Sequence, residues 1–272
     1  MLEIVTVLGI NALVVLALFI AAWAACWAMR DPTPVDSLWA LGMGVVAVAT
    51  FLQTGGDTER RLVLTVICVL WALRLGGYLL WRWRDHGPDR RYVRMMEKAK
   101  AERGWNYGYA SFRLVFALQM PLLWLVCLPV QLGQIADEPA SLGVVGYVGA
   151  VLALFGIIFE SVGDWQLVRF QKNPDNAGKV LDTGLWRYTR HPNYFGDACV
   201  WWGLWLVAAE TTPGLFAVVG PIYLVYTLTR WSGMPTVEGR MRRRKPGYED
   251  YVARTSPFIP WPPKPARPVE EG

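Results

Sequence analysis

Charged residues are scarce in this chain of 272 residues. They make up 18% of it, against about 25% in ordinary globular domains. Hydrophobic residues account for 54% of the chain, and tryptophan alone occupies 15 positions. A water-soluble domain of this size would lack the polar surface to cover itself. The composition therefore excludes a disordered protein, a coiled coil and a small disulfide scaffold, and it predicts a polytopic membrane protein.

Metal-binding and nucleotide-binding motifs are also missing. The four cysteines, at positions 26, 68, 127 and 199, lie within apolar runs, and no CxxC or Cys/His spacing occurs. We therefore predict neither a metal site nor a disulfide framework, but four small buried side chains. No GxGxxG or P-loop sequence occurs either, which excludes a Rossmann domain as the holder of a nucleotide.

Long apolar stretches are what the sequence does contain. A helix needs about 20 apolar residues to cross a bilayer. We predict an all-α fold, a bundle of seven transmembrane helices, with spans at roughly 4–29, 36–54, 62–80, 112–132, 142–163, 195–210 and 213–231. No internal repeat and no separate soluble domain are evident, so residues 1–272 are predicted to form one membrane-embedded domain. Its tail, 232–272, ends in a proline-rich stretch.

Basic residues are distributed unevenly between these stretches. They concentrate in 81–106, in 164–195 and after 231, while the alternate connections contain only Arg60 and Arg61. Positive residues stay on the cytoplasmic side, so we predict an external N-terminus and a cytoplasmic C-terminus. We interpret the net charge of +5 as topology and contact with membrane lipids, especially along the arginine run 240–244, and predict no nucleic-acid partner.

Several charged side chains fall at membrane depth, where they are costly unless they are paired or functional. Asp36 opens the second span and is either an interfacial helix cap or a catalytic group that faces the substrate. Arg74, Tyr78 and Arg82 share one helix face, and the alternative to a binding role is an arginine that reaches up to the lipid interface. The charged residues that fall at membrane depth are Asp36, Arg74, Arg113, Glu160, Asp164, Asp197 and Arg230.

The densest polar stretch precedes the sixth predicted span. It contains Arg187, Tyr188, Arg190, His191, Asn193, Tyr194 and Asp197. Interfacial aromatic residues and positive-inside arginines explain part of it, but not the histidine, amide and carboxylate together. Arginine guanidinium groups bind phosphates through paired hydrogen bonds, and carboxylates accept hydrogen bonds from ribose hydroxyls. We therefore predict that a nucleotide cofactor binds at the cytoplasmic end of the helical bundle. The residues predicted to hold it are Arg74, Arg82, Glu160, Asp164, Arg169, Lys172, Tyr188, Arg190, His191, Asn193, Tyr194, Asp197, Arg230 and Glu238.

Several segments between roughly residues 36 and 262 match the motifs of one known family. They are Arg190-His191-Pro192-Asn193-Tyr194-Phe195-Gly196 with Trp201-Trp202-Gly203, Asp36-Ser37-Leu38-Trp39, Arg74-Leu75, Asp164-Trp165-Gln166, Ser232-Gly233-Met234-Pro235, and Tyr248-Glu249-Asp250-Tyr251 before Pro257-Phe258-Ile259-Pro260. In these segments the chain resembles the bacterial steroid 5-alpha-reductase-like family, the 3-oxo-5-alpha-steroid 4-dehydrogenases.

This resemblance implies a seven-helix reductase in the bacterial inner membrane that uses NADPH to reduce a 3-oxo-delta-4 steroid or a similar isoprenoid enone. It makes Asp36 the counterpart of the family's carbonyl-binding Glu. Alignment by Arg74 puts Trp71 at the family's tyrosine position, and Tyr78, a turn or two away, becomes the second catalytic candidate. Asp164, Asn193 and Asp197 match the family's polar cofactor positions.

Two other functions remain open. The RHPNY segment also occurs in isoprenylcysteine carboxyl methyltransferases, which use S-adenosylmethionine. That cofactor has no phosphate, so Arg169, Lys172, Arg187 and Arg190 favour the reductase. A lipid binder without enzymatic activity would need no nucleotide site. The expected partners are a lipophilic small molecule and membrane lipids, with no obligate protein partner.

Overall fold

The computed structural model describes residues 1–265. Within that range the chain is helical and contains no strand, which confirms the predicted all-α class. Thr189 and Ser256 form an isolated parallel bridge. The α-helices of this range are α1 Leu2–Met29, α2 Val35–Gln53, α3 Thr58–His86, α4 Arg90–Arg103, α5 Tyr107–Ser111, α6 Ala117–Val126, α7 Leu128–Leu132, α8 Val144–Lys172, α9 Pro192–Ala208, α10 Thr212–Leu215, α11 Val219–Tyr226, α12 Met234–Arg244 and α13 Tyr248–Arg254.

Six helical stretches of the described chain, rather than the predicted seven, are long and apolar enough to cross a membrane. They are Leu2–Met29, Val35–Gln53, Thr58–His86, Tyr107–Val126, Val144–Lys172 and Thr212–Arg244. The predicted sixth span corresponds to α9, which has only 17 residues. At 1.5 Å per residue it is about 25 Å long, short of the roughly 30 Å of a bilayer core. The predicted placement of the two termini on opposite sides therefore requires α9 to cross as well.

The last predicted span is not one regular helix. Its chain passes from α10 through a 3-10 turn at Phe216–Val218 into α11, and then into a π-helical turn at Thr227–Trp231. The predicted cytoplasmic tail begins there and contains α12 and α13. Its final part, 266–272, lies outside the described residues, as does the end of the proline-rich stretch.

The chain divides into two compact units. The first unit comprises residues 1–150 and 203–220, and the second comprises 151–202 and the chain from 221 onward. In the first unit, α2 and α3 approach closely through small residues. A Cβ on Gly44 would lie 3.0 Å from the Cβ of Ala72, and a Cβ on Gly76 would lie 2.6 Å from the side chain of Leu41. In lipid no hydrophobic effect drives helices together, and small residues of this kind stabilise their packing by letting the backbones approach closely.

A buried polar network also connects helices of the first unit. The Asn11 amide donates to Thr50 Oγ1 at 2.8 Å and to Gln131 Oε1 at 3.1 Å, while Gln53 donates to Asn11 Oδ1 at 2.9 Å. Asn11, Thr50 and Gln131 have no exposed surface. Amides on α1, α2 and α7 thus satisfy one another where no water can do so.

The second unit brings α8 and α9 together backbone to backbone. A Cβ on Gly156 would lie 2.5 Å from the carbonyl oxygen of Gly196, and a Cβ on Gly196 would lie 2.6 Å from the amide nitrogen of Glu160. The space beside Gly196 is therefore occupied by α8. This contact aligns the polar residues of α8 with those at the start of α9.

The four cysteines behave as their sequence context predicts. Cys26, Cys68, Cys127 and Cys199 are all buried, and none of them forms a disulfide. Three of them pack as small side chains within helices, and Cys127 lies between α6 and α7.

Candidate functional site

Asp36 lies in the first turn of α2, and its carboxylate bonds to side chains of α4. Oδ1 accepts a hydrogen bond from the Tyr92 hydroxyl at 2.6 Å, and Oδ2 accepts one from Arg91 at 3.1 Å. No side-chain hydrogen bond caps α2, whose N-cap position is Pro34. The alternative interpretation of Asp36 as a helix cap is therefore wrong, because both carboxylate oxygens are used by another helix.

The start of α4 is fixed so that Tyr92 points inward. Asp89 caps the helix by accepting from the Arg91 amide at 2.8 Å, and its own amide donates to Thr33 Oγ1 at 2.9 Å. Tyr92, Met96 and Ala99 form the buried face of the helix. Their spacing of four and three residues is the pattern in the sequence that indicates a buried helix face and so identifies Tyr92. The arginines around Tyr92 are also typical of a cytoplasmic loop, which is how we interpret this segment from the sequence.

Tyr92 is a neutral phenol with both of its hydrogen-bonding roles in use. Only 6% of the residue is exposed. Burial, reinforced by the neighbouring Asp36 carboxylate, raises the pKa of Tyr92 well above its usual value of 10.0. The hydroxyl donates to Asp36, and its oxygen accepts from Gln119 Nε2 at 3.2 Å. Asp36 and Tyr92 therefore form a short acid–phenol pair supported by an amide. Sequence reasoning missed Tyr92, Arg91 and Gln119.

Tyr78, the predicted second catalytic residue, lies among cations. The guanidinium carbons of Arg74 and Arg82 each lie 5.9 Å from the centre of its ring, and Trp81 stacks nearby at 6.1 Å. Arg74, Tyr78 and Arg82 thus lie together on one face of α3, as predicted, and interact there as cations with an aromatic ring. The role of Tyr78 stays a prediction, whereas the phenol that contacts Asp36 is Tyr92.

Glu238 of α12 binds the two basic residues that precede α9 in the second unit. Its Oε1 lies 2.9 Å from Arg190 Nε and 3.1 Å from His191 Nε2. Arg190 also donates from Nη1 to the carbonyl oxygen of Thr255 at 2.7 Å and to that of Val252 at 3.3 Å. The Arg190 guanidinium, predicted to clamp a phosphate, is thus engaged by protein acceptors on α12 and at the end of α13.

His191 is held as a neutral imidazole. Burial lowers the pKa of His191 below its usual value of 6.5, although the hydrogen bond and charge of Glu238 oppose that shift. The Tyr194 ring stacks on the imidazole with centroids 5.3 Å apart and planes within 4°. In the neutral form, the Nε2 hydrogen goes to the Glu238 carboxylate. This geometry fixes the orientation of the ring.

The C-terminal segment runs alongside the residues that precede α9. The Arg190 amide donates to the Ser256 carbonyl oxygen at 2.9 Å, Thr189 Oγ1 donates to the Phe258 carbonyl at 2.8 Å, and the Trp261 amide donates to the Tyr188 carbonyl at 2.9 Å. These bonds occur on both sides of the Thr189–Ser256 bridge. Two segments about 70 residues apart are therefore joined through their backbones, and Glu238 joins them further through side chains. We call this whole arrangement the Glu238 latch; it comprises Arg190, His191, Glu238, Thr189 and Ser256.

The acidic residues of α8 and α9 form a third polar group. Glu160, Asp164 and Asp197 are 3%, 5% and 7% exposed. Asn193 Nδ2 donates to Asp164 Oδ1 at 3.3 Å. The structure thus joins two of the predicted cofactor residues in one contact. Carboxylate and amide oxygens of this kind can accept from ribose hydroxyls or from a carboxamide.

The remaining predicted cofactor residues lie near the surface of the second unit. The Arg169 guanidinium covers the Trp165 ring at 5.5 Å. Lys172 ends α8 and is exposed, as are Tyr188 and Arg230. Arg230 lies in the π-helical turn Thr227–Trp231. These side chains are therefore accessible to a ligand, in contrast to Arg190.

Comparison with known proteins places the chain in a family. The family model described as "Protein of unknown function (DUF1295)" matches residues 22–255. The chain belongs to the DUF1295 family. Among curated proteins, uncharacterized protein C594.04c of Schizosaccharomyces pombe is 22% identical over 275 residues, covering 88% of this chain and 75% of that protein. No solved structure matches the chain. The match to the DUF1295 family covers most of the α-helices, the Asp36–Tyr92 pair, the acidic residues of α8 and α9, and Arg190, His191 and Glu238 of the latch.

Proposed function

We propose that this DUF1295 protein reduces the double bond of a lipophilic enone, a 3-oxo-delta-4 steroid or an isoprenoid of similar shape, with NADPH as the hydride donor. The Asp36–Tyr92 pair carries the proposal, together with the motifs that resemble steroid 5-alpha-reductases. An apolar substrate suits a chain with six candidate membrane spans, since such a compound partitions into the bilayer that surrounds them.

The proposed task of the Asp36–Tyr92 pair is to bind the carbonyl oxygen. That oxygen gains negative charge as the beta carbon accepts a hydride, so a hydrogen-bond donor beside it stabilises the transition state. The Tyr92 hydroxyl donates its hydrogen to Asp36 across 2.6 Å. An entering carbonyl oxygen would accept that hydrogen in place of Asp36, or would accept one from Asp36 when the carboxyl group carries a proton of its own. Gln119 holds the phenol oxygen in place, and Arg91 orients the other carboxylate oxygen.

The second unit contains residues whose chemistry fits a phosphorylated dinucleotide. Asp164 and Asn193 would accept from and donate to ribose or carboxamide groups, and Glu160 and Asp197 add buried acceptors nearby in the sequence. Arg169, Lys172 and Arg230 are exposed cations that would neutralise phosphates. When bound, NADPH would supply the hydride for the beta carbon and leave as NADP+, and a proton from solvent would add to the alpha carbon to give the saturated ketone. The Glu238 latch would position Asn193 and Tyr194 by holding the residues before them.

The test is made on purified protein in detergent or liposomes. We expect a 3-oxo-delta-4 steroid to cause oxidation of NADPH, with one saturated ketone formed per NADPH consumed. Transfer of a labelled methyl group from S-adenosylmethionine to a lipophilic thiol or carboxylate, without NADPH oxidation, would support the methyltransferase instead. Binding of a steroid or sterol with neither activity would reduce the proposal to a lipid binder.

A further inference from the structure

A cavity of about 520 Å³ in the second unit is lined mainly by polar residues, and most of them lie outside the site described above. It lies between residues 182–187, which include the 3-10 helix Gly184–Arg187, and residues 254–265, which begin at the last residue of α13. Three cations line it, Arg187, Arg254 and Lys264, together with one carboxylate, Asp182. Its volume falls within the range of about 300–1,000 Å³ typical of small-molecule sites. We infer that this cavity binds a phosphate-bearing ligand, a function that does not depend on the proposed reduction.

The charge of the cavity supports this inference. Asp182 lies 2.5 Å from Arg254, so the one carboxylate compensates one of the cations. Among the residues that line the cavity, no second carboxylate then compensates Arg187 and Lys264. Both side chains are exposed, as is expected of groups that meet a soluble anion or a head group. An arginine fork and a lysine ammonium together are a typical phosphate-binding combination.

The walls of the cavity are held in place by hydrogen bonds. The Lys264 amide donates to the Arg254 carbonyl oxygen at 2.9 Å, which keeps these two cations on adjacent backbone. On the opposite wall, Gly184 has a φ of +60°, and a Cβ there would lie 2.4 Å from the Gln166 side chain. That glutamine accepts from the Leu185 amide at 2.9 Å. The loop that carries Arg187 is thus fixed against α8 before any ligand binds.

Phosphate can reach such a cavity from two sources, a soluble phosphate ester or an anionic lipid head group. The shared chemistry is a phosphate with at least one free anionic oxygen. A soluble phosphate would bind in detergent without lipid, whereas a head group would stabilise the protein only in a bilayer that contains it. The two sources therefore give separate results in one set of experiments.

The first experiment measures binding of inorganic pyrophosphate to the detergent-solubilised full chain by calorimetry. We expect Arg187→Ala combined with Lys264→Ala to weaken binding by about tenfold or more, and Arg243→Ala to leave it unchanged. Arg243 is the matched control because it is an exposed arginine of α12 that does not line the cavity. Arg187→Gln with Lys264→Gln repeats the test with side chains that retain more of their bulk, and thermal unfolding verifies that each variant is folded.

The second experiment measures thermal unfolding in nanodiscs of phosphatidylcholine with and without phosphatidylglycerol. The control in this experiment is Arg94→Ala, since Arg94 is an exposed arginine of α4 that lies outside both the cavity and the arginine run 240–244. Stabilisation by phosphatidylglycerol that disappears in the double variant, but not in Arg94→Ala, supports a lipid head group as the ligand. Pyrophosphate binding that depends on the same two residues supports a soluble phosphate. The inference is wrong if two results coincide: pyrophosphate binding is absent from the wild type or unchanged in the double variant, and the double variant responds to phosphatidylglycerol as Arg94→Ala does. None of these results depends on turnover of an enone.

Discussion

Removal of the Glu238 carboxylate should loosen the chain around His191 more than the loss of any exposed ion pair. Glu238 lies 2.9 Å from Arg190 Nε, and the two side chains are only 14% and 9% exposed. Glu238→Ala would leave the Arg190 guanidinium buried without a counter-ion and the His191 Nε2 hydrogen without an acceptor. Stranding one partner of a buried ion pair costs about 3–5 kcal/mol. Since Arg190 keeps its bonds to two carbonyl oxygens, we expect the lower end, about 3 kcal/mol.

The assay is amide hydrogen exchange of the segment that the latch holds. The amides of Arg190 and Trp261 donate to the carbonyl oxygens of Ser256 and Tyr188. A loss of about 3 kcal/mol corresponds to exchange roughly a hundredfold faster at these positions, since every 1.4 kcal/mol is a factor of ten. Glu238→Gln keeps a single acceptor oxygen and should give an intermediate rate.

The matched control is the exposed pair between Arg242 and Glu249. Its atoms approach to the same 2.9 Å, but its side chains are 46% and 64% exposed. Such surface pairs contribute about 0–1 kcal/mol, so Glu249→Ala should scarcely change exchange around Trp261. Equal effects of Glu238→Ala and Glu249→Ala would refute the reasoning, because burial would then not determine the strength of the latch.

Three further predictions concern packing and protonation. Asn11→Leu should lower the free energy of unfolding by about 1 kcal/mol, the scale of a polar contact between membrane helices, because it leaves Gln131 without its donor; denaturant titration in detergent measures this loss. Gly196→Ala should cost about 1–3 kcal/mol by overpacking, since its Cβ would meet the Glu160 backbone; a wild-type unfolding midpoint would contradict the close approach of α8 and α9. The buried His191 has a lowered pKa, so the unfolded chain binds its proton first. The unfolding free energy should be constant well above pH 6.5 and fall as the pH drops below that value; a His191→Gln variant should lose this dependence.

The helices could be predicted from the sequence because the length of an apolar stretch and its charged ends determine a membrane span locally. The count failed at α9, where Pro192 and Thr211 limit the apolar stretch on either side of a helix of 17 residues. Whether that helix crosses is decided by its neighbours rather than by its own composition.

The site was only partly predictable for the same reason. Asp36 was found because a carboxylate at the start of a span is conspicuous, but its partner Tyr92 is 56 residues away. Arg190, His191 and Glu238 were all expected near a cofactor. Their side chains instead meet one another, 47 to 48 residues apart in the chain. Residue type and local spacing indicate which side chains carry chemistry, whereas their contacts depend on tertiary structure.

The most direct test of the central claim is the rate at which purified Tyr92→Phe reduces a 3-oxo-delta-4 steroid with NADPH, compared with the wild type and Tyr78→Phe. Both variants lose one hydroxyl and keep the ring, and only Tyr92 contacts Asp36 at 2.6 Å. We expect the wild type to reduce the steroid and Tyr92→Phe to be at least about tenfold slower, about 1.4 kcal/mol in the barrier, with NADPH binding unchanged. Tyr78→Phe, which tests the second catalytic candidate, should stay near the wild-type rate if Tyr92 is the donor. A wild-type rate for Tyr92→Phe, or no reduction by the wild type, would contradict the account.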